Sequence, residues 1–186
     1  MLVENGFVRV KTSEGEEYTF TPSLGRIATL GHPHEIVQHF VALHGKDPIP
    51  TATYILACLA DQDDATPLIG WRDEGGWHVG LMPPAEVLII ARHLMLHGIV
   101  GKAKPSAGDG KFADKFEASE YIAAARVHLG LSSEDAAALS MTEFQTMFEM
   151  KFPQAGKNGG RDVPTREEYD AGMKRFEERR HGTEGR

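Results

Sequence analysis

The sequence predicts an α+β fold that is mainly α-helical: a helical domain with two β-hairpins and a charged C-terminal tail or docking helix. Three observations lead to this prediction. Apolar residues recur at helical spacing through the middle of the chain. Two short segments alternate in polarity on either side of turn residues. Residues 154–186 begin with a glycine-rich stretch and then become strongly charged.

The first segment predicts a β-hairpin followed by a short helix. Apolar residues alternate in 7–10 and again in 18–20, and the Thr-Ser-Glu-Gly sequence at 12–15 is typical of a turn. Residues 24–30 then have helical spacing, and Gly31 predicts the end of that helix.

Three longer helices are predicted next. They cover residues 35–43, residues 51 or 53 to 60, and residues 85–96. The last of these has apolar side chains on most faces, so we expect it to be the central buried helix. The His-Gly pairs at 44–45 and 97–98 predict the ends of the first and the third.

A second hairpin is predicted between the last two of these helices. The apolar segments 68–71 and 77–79 flank an Asp-Glu-Gly-Gly sequence that favours a tight turn. Beyond the third helix, residues 113–129, 133–139 and 143–151 predict three more helices. Ser132 with Asp135, and Thr142 with Gln145, have the spacing of capping boxes at the last two.

Four regions follow from these elements. Residues 1–100 form a region of hairpins and helices, residues 101–112 a linker rich in glycine and lysine, and residues 113–153 a helical region packed on the first. Residues 154–186 form a flexible or docking tail. Within the tail, an apolar stripe at positions i, i+4 and i+7 indicates a docking helix. Its members are Tyr169, Met173 and Phe176.

The charge distribution argues against nucleic acid as a general partner. The 186 residues carry a net charge of −7. Residues 154–186 hold eight basic and seven acidic side chains, whereas residues 1–153 hold twelve basic and twenty acidic ones. Such an acidic body repels phosphate backbones. No apolar run, including residues 87–91, approaches the length needed to span a membrane, so we expect a soluble protein.

The sequence predicts no enzyme activity, no cofactor and no metal site. No glycine-rich phosphate loop and no nucleophile elbow occurs in it. His93 and His97 lie four residues apart, as zinc ligands do, but no third ligand is evident, and histidine near a helix C-terminus is favoured by the helix dipole. A second group of histidines is scattered over different faces by its spacing. It comprises His32, His34, His39 and His44.

Two further polar features have structural interpretations. Cys58, the single cysteine, lies in an apolar helix and is expected to be buried and unreactive, and it permits no intramolecular disulfide. Asp61, Asp63 and Asp64 begin like a calcium loop but lack its glycine and its final glutamate, so they predict a solvated acidic turn.

Residues 132–151 also allow a DNA-binding interpretation. Two short helices joined by a tight turn resemble a helix-turn-helix. The second helix, however, offers Glu143, Gln145 and Glu149 with Lys151 as its one cation. Phosphate contacts need several lysines or arginines, so this interpretation is the weaker one.

The same segment resembles a family of phage proteins. Residues 129–136 (LGLSSEDA) and 139–144 (LSMTEF), ending in 151–153 (KFP), are similar to the LGLS-x-E-A … MT-x-E-F run of tail assembly chaperones of tailed bacteriophages. Residues 82–101 and 20–33 also resemble uncharacterised phage proteins. The resemblance implies a small, mostly helical protein of the infected bacterial cytoplasm. Such a protein coats the tape-measure protein and helps recruit tail-tube subunits, without catalysis.

Protein binding is therefore the function that the sequence favours. The candidate partner-binding residues combine methionine, which adapts to varied partners, with aromatic rings. They are Met141, Phe144, Met147, Phe148 and Phe152, together with the tail stripe Tyr169, Met173 and Phe176. The alternatives are a structural virion component, such as a head–tail connector or minor tail protein, a metal-dependent enzyme, and a DNA-binding protein. A homo-oligomer is compatible with the sequence.

Overall fold

Helices dominate the structure, and two small antiparallel sheets accompany them, so the predicted α+β, mainly helical class is confirmed. The computed structural model describes residues 2–4, 6–102 and 114–153. The strands are β1 (Leu2–Glu4), β2 (Phe7–Lys11), β3 (Glu17–Phe20), β4 (Trp71–Asp73) and β5 (Gly76–His78). The α-helices are α1 (Leu24–Ile27), α2 (Pro33–Ala42), α3 (Ile49–Leu59), α4 (Thr66–Ile69), α5 (Pro84–Met95), α6 (Ala118–Ala124), α7 (Ser133–Ala138) and α8 (Met141–Lys151).

The first sheet has the strand order β1-β2-β3, so the predicted hairpin gains a third strand at its N-terminal side. The pairing of β2 with β3 places Val8 opposite Phe20 and Val10 opposite Tyr18. Side chains on alternate residues of a strand share a face. Val8, Tyr18 and Phe20 are accordingly buried together against the helices.

Helices α3 and α5 pack against each other at the centre of the core. Helix α3 buries Ile55, Leu56 and Leu59 completely, and each such side chain stabilises the fold by roughly 1.5–3 kcal/mol. Helix α5 is central as predicted, but it is not buried on most faces, because Ile89 is exposed. Its buried stripe consists of Val87, Ile90, Ala91, Leu94 and Met95.

The second hairpin is shorter than predicted, because the residues at its N-terminal base are helical. Leu68 and Ile69, predicted in the first strand, lie in α4 and are buried. The chain leaving β5 returns to this helix, since the Met82 amide donates to the Leu68 carbonyl (2.8 Å). Gly80 lies so close to α4 that a Cβ there would be 2.3 Å from the Leu68 carbonyl oxygen. The hairpin is therefore held tightly at its base.

The start of α8 differs from the prediction. Ser140, not Thr142, is the N-cap: its hydroxyl accepts from the Glu143 amide, and the Glu143 carboxylate accepts from the Ser140 amide. Thr142 and Gln145 contact the end of α5 instead. The cap of α7 by Ser132 is as predicted. Helix α6 begins at Ala118 and not at residue 113.

Two π-helical turns, Leu96–Val100 and Ala125–Leu129, extend α5 and α6 and lie against α8. The His-Gly pair at 97–98 therefore does not end α5, because the chain continues helically to Gly101. The π-helix is rare, occurs mostly as a single turn and is frequent at functional sites. Helix α8 is thus held by the ends of two other helices.

The C-terminal helices are joined to the N-terminal part through main-chain contacts. The Leu24 amide donates to the Leu139 carbonyl (2.8 Å), and the described residues before Pro153 belong to one compact unit. Past Lys102, the predicted linker 101–112 lies outside the described residues, as does the predicted tail 154–186. Among the residues that the structure describes, no helix has the length and apolar character needed to cross a membrane.

The tight root of the second hairpin predicts a strong effect of Gly80→Ala. The added Cβ meets the main chain at Leu68 and at Gly70, and neither can move without displacing α4. We expect the free energy of unfolding to fall by about 1–3 kcal/mol, measured by urea denaturation. Gly75→Ala in the turn is the matched control, because its Cβ meets only the Asp73 carboxylate oxygen at 3.2 Å. Equal stability of the two variants would contradict the close contact.

Candidate partner-binding surfaces

Both tryptophans of the chain lie on the second hairpin, which we call the tryptophan hairpin (residues 70–80). All residues of β4 are exposed, and those of β5 are half-buried. Trp71 keeps 43% of its surface exposed, and the following Val79 and Leu81 keep 64% and 60%. The hairpin is therefore anchored at its base and presents large apolar side chains to solvent.

One face of the tryptophan hairpin carries Trp71. Its ring stacks on His78 with the centroids 4.7 Å apart and the planes at 11°. Nε2 of His78 donates to Oδ2 of Asp73 (2.9 Å), and this bond, followed by the one from the Gly75 amide, lowers the pKa of Asp73. These contacts hold the indole in place. In front of it lies a depression of about 710 Å³, lined by Glu14, Glu16, Thr66, Pro67, Trp71 and Leu81.

The opposite face carries Trp77 beside Arg72, its cross-strand partner. The depression on this side has a volume of about 400 Å³ and is bounded by the N-terminal ends of α3 and α5. Its walls are mainly apolar, with Asp47 and Arg72 as the charged residues. The lining consists of Asp47, Ile49, Pro50, Arg72, Gly76, Trp77, Val79 and Pro84.

The partner-binding residues predicted on α8 divide into buried and exposed ones. Met141 and Phe144 belong to the hydrophobic core and offer no surface to a partner. Met147 and Phe152 are exposed, and Phe148 is half-buried between them. The tail stripe Tyr169, Met173 and Phe176 lies outside the described residues.

The exposed side of α8 forms a ladder of aromatic rings. Phe148 lies 5.6 Å from the Phe144 ring and 4.9 Å from the Phe152 ring. His128, from the second π-helical turn, meets Phe148 and Phe152 edge-on at 5.9 and 6.1 Å. Met150 beside them is highly exposed. We call Met147, Phe148, Met150, Phe152 and His128 the α8 surface.

The His93 and His97 rings lie 4.5 Å apart where α5 ends, with their planes tilted by 51°. Nδ1 of His97 lies 2.8 Å from the Thr142 hydroxyl, which links α5 to α8. Nε2 of His93 is buried and has no hydrogen-bond partner within the described residues. Burial lowers the pKa of both imidazoles, and the neighbouring His97 lowers that of His93 further. The pair is therefore a neutral structural contact.

Three histidines of the second predicted group, His34, His39 and His44, contact main chain or an aromatic ring at separate places. Nδ1 of His34 lies 2.8 Å from the Asp114 carbonyl, and His39 packs on Tyr54. Within residues 2–4, 6–102 and 114–153, no group of three or more His, Cys, Asp or Glu side chains is placed to hold a metal ion.

The acidic turn and the cysteine have structural roles. Asp61 pairs with Arg26 (3.2 Å), and Asp64 accepts from the amide and the hydroxyl of Thr66. Cys58 is half-buried, where a buried position was predicted, and burial raises the pKa of its thiol. A raised pKa leaves little thiolate at neutral pH, so this thiol is a poor nucleophile.

The sequence predicts a hairpin at Trp71 and Trp77, but it did not predict a function for this hairpin. One signal was available. Both tryptophans directly flank the charged and glycine residues of the predicted turn, where a short hairpin offers little cover to an indole.

A model of a family of unknown function (DUF6246) matches residues 44–171 of the chain. The matched part includes both the tryptophan hairpin and the α8 surface. No curated protein and no solved structure matches the chain.

The neutral histidine pair predicts that stability falls in acid. In the unfolded chain these imidazoles take up protons near their ordinary pKa of 6.5, whereas in the folded protein they do so only at lower pH. The contribution to stability is therefore complete above about pH 6.5 and decreases as the pH falls from there towards the folded-state pKa.

His93→Leu tests this dependence in urea denaturation at pH 7.5 and 5.5. Leucine removes a buried nitrogen without a partner, so we expect the unfolding free energy at pH 7.5 to stay within about 1 kcal/mol of the native value. The loss between the two pH values should be smaller than in the native protein. An unchanged loss would show that His93 does not titrate differently on folding.

Proposed function

This chain belongs to a family of unknown function, DUF6246, and we propose that it is a non-enzymatic protein that binds another protein through the tryptophan hairpin. The observation that carries the proposal is the exposure of Trp71 and the half-exposure of Trp77 on an anchored hairpin. Tryptophan is strongly enriched among the residues that dominate binding energy at protein interfaces. Folding alone gains little from indoles placed in this way.

The anchored base of the hairpin favours binding. Gly70 and Gly80 are in close main-chain contact, and Leu68 and Met82 tie the hairpin ends to the core. A surface that is already ordered loses little conformational entropy when a partner docks. The tryptophans are thereby presented in the geometry that a partner would meet.

The class of partner is proposed from the resemblance of residues 129–153 to tail assembly chaperones. On that basis the protein acts as a chaperone or scaffold in phage tail morphogenesis, in the cytoplasm of the infected host, and binds tape-measure or tail-tube proteins. An acidic body keeps such a carrier apart from nucleic acid, and exposed apolar patches mark contact sites for proteins. The α8 surface is a second patch of this kind.

The proposal is tested by co-expressing the protein with each tail protein encoded beside it and measuring complexes by size exclusion with light scattering. We expect a stable complex with a tape-measure or tail-tube protein. Trp71→Ala/Trp77→Ala should weaken it at least about tenfold, because truncation of a central interface tryptophan costs about 2 kcal/mol or more. Val79→Ser/Leu81→Ser, at exposed positions of the same patch, should also weaken it.

Ile89→Ser, at an exposed apolar position of α5 outside both patches, is the matched control and should retain the complex. Met150→Ser/Phe152→Ser tests the α8 surface and should also retain the complex if the tryptophan hairpin makes the contact. If this variant alone abolishes the complex, protein binding stands but its assignment to the tryptophan hairpin is overturned. If no tail protein binds, the proposed role in tail assembly is overturned.

A further inference from the structure

The depression in front of Trp71 is acidic as well as apolar. Glu14 and Glu16 line it from the turn between β2 and β3, and Asp73 lies on the Trp71 face of the hairpin. No lysine or arginine is among the residues that line it. Of the ion pairs between described residues, none involves Glu14 or Glu16. Glu14 and Glu16 therefore have no cationic partner among the described residues, whereas Asp73 is bound to His78.

The pKa of the buried Tyr18 hydroxyl is also affected by these carboxylates. Its pKa is raised, first by burial and then by the hydrogen bond and charge of Glu16, with a further contribution from Asp64. Asp64 is held in the adjoining turn by its bonds to Thr66, another residue of the lining. Carboxylates from two separate turns therefore both raise the pKa of Tyr18.

The Trp71 ring offers a surface for a flat cation. His78 stacks on one face, yet 43% of the residue remains exposed. A guanidinium group placed over an indole face is attracted by the ring quadrupole, and this attraction is strongest for tryptophan. Arginine also donates several hydrogen bonds from one plane to carboxylates, which an ammonium group does less well.

We propose that this depression, the Trp71 groove, binds an arginine side chain of the protein partner, next to an apolar side chain that packs on Pro67 and Leu81. The inference rests on the proposed function and adds the chemistry of the recognised segment. Charge complementarity selects the occupant, since an acidic segment would meet uncompensated carboxylates. The Trp77 face lacks this character, because its lining contains Arg72 as well as Asp47.

The full chain carrying Trp77→Phe provides a direct test, since Trp71 is then the only tryptophan. The probe is a short capped peptide of alternating leucine and arginine. Its binding is measured by the change in Trp71 fluorescence. We expect the fluorescence change to saturate with peptide concentration, and the affinity for the peptide to fall as salt is added. A peptide with glutamate in place of arginine should not bind, and one with lysine should bind several-fold more weakly.

Glu14→Gln/Glu16→Gln in the same background should weaken the arginine peptide about tenfold. Asp47→Asn/Glu134→Gln is the matched control, because it also removes two negative charges. Asp47 lies on the Trp77 side and Glu134 is exposed on α7, so peptide binding should be unchanged. Equal binding of the glutamate peptide, or no effect of Glu14→Gln/Glu16→Gln, would overturn the inference. The inference would also be overturned if the protein associates with itself in the absence of peptide and Trp71→Ala abolishes this association. A second copy of the chain would then fill the groove.

These outcomes separate the inference from the proposed function. If the tail-protein complex is weakened by the tryptophan substitutions but not by Glu14→Gln/Glu16→Gln, the chemistry assigned to the groove fails and protein binding stands. If the peptide binds as expected and no tail protein does, the groove stands and the role in tail assembly fails.

Discussion

The arrangement of the C-terminal helices depends on one close contact, at the π-helical turn that ends α5. A Cβ on Gly98 would lie 2.6 Å from Cδ1 of Ile27, and Gly101 has a φ of 70° and touches Gln145. The same turn contributes His97, whose ring lies against Thr142. Helices α1 and α8 therefore meet α5 within a single turn. Larger side chains here would displace α8, and the aromatic ladder on its outer side would move with it.

The tryptophan hairpin is also fixed by close packing at one place, its base, but its outer part remains exposed. Its base is buried through Leu68, Ile69 and Met82, and burial of such side chains supplies the hydrophobic stabilisation of the fold. Its outer part contributes little to the core, since β4 is fully exposed. Stability and recognition are thus separated along one short segment. A protein can vary the exposed part to suit a partner while the base preserves the fold.

Periodicity predicted the helices well where one face is buried, as in α2, α3 and α5, because burial follows the 3.6-residue repeat. The local capping and stop patterns were wrong where tertiary contacts determine the end of a helix. Ser140 with Glu143 and Thr142 with Gln145 are overlapping capping patterns, and only the former caps α8, where Ser140 also pairs with Ser23 in a β-bridge. The His-Gly pair at 97–98 is a typical stop signal, yet packing against Ile27 and α8 carries the helix past it. Neither outcome can be read from neighbouring residues.

The candidate site was predicted only in part for a related reason. Turn residues predict the hairpin, but whether an indole is covered depends on which distant segment packs against it. Register then decides the chemistry of each face: Trp71 pairs with His78, and Arg72 with Trp77. A slip of one residue would exchange the two faces, because side chains alternate along a strand. Arg72 would then stand beside Glu14 and Glu16 and neutralise them. The acidic groove in front of Trp71 therefore depends on this register, which the close contact between Gly70 and Gly80 anchors at the base of the hairpin.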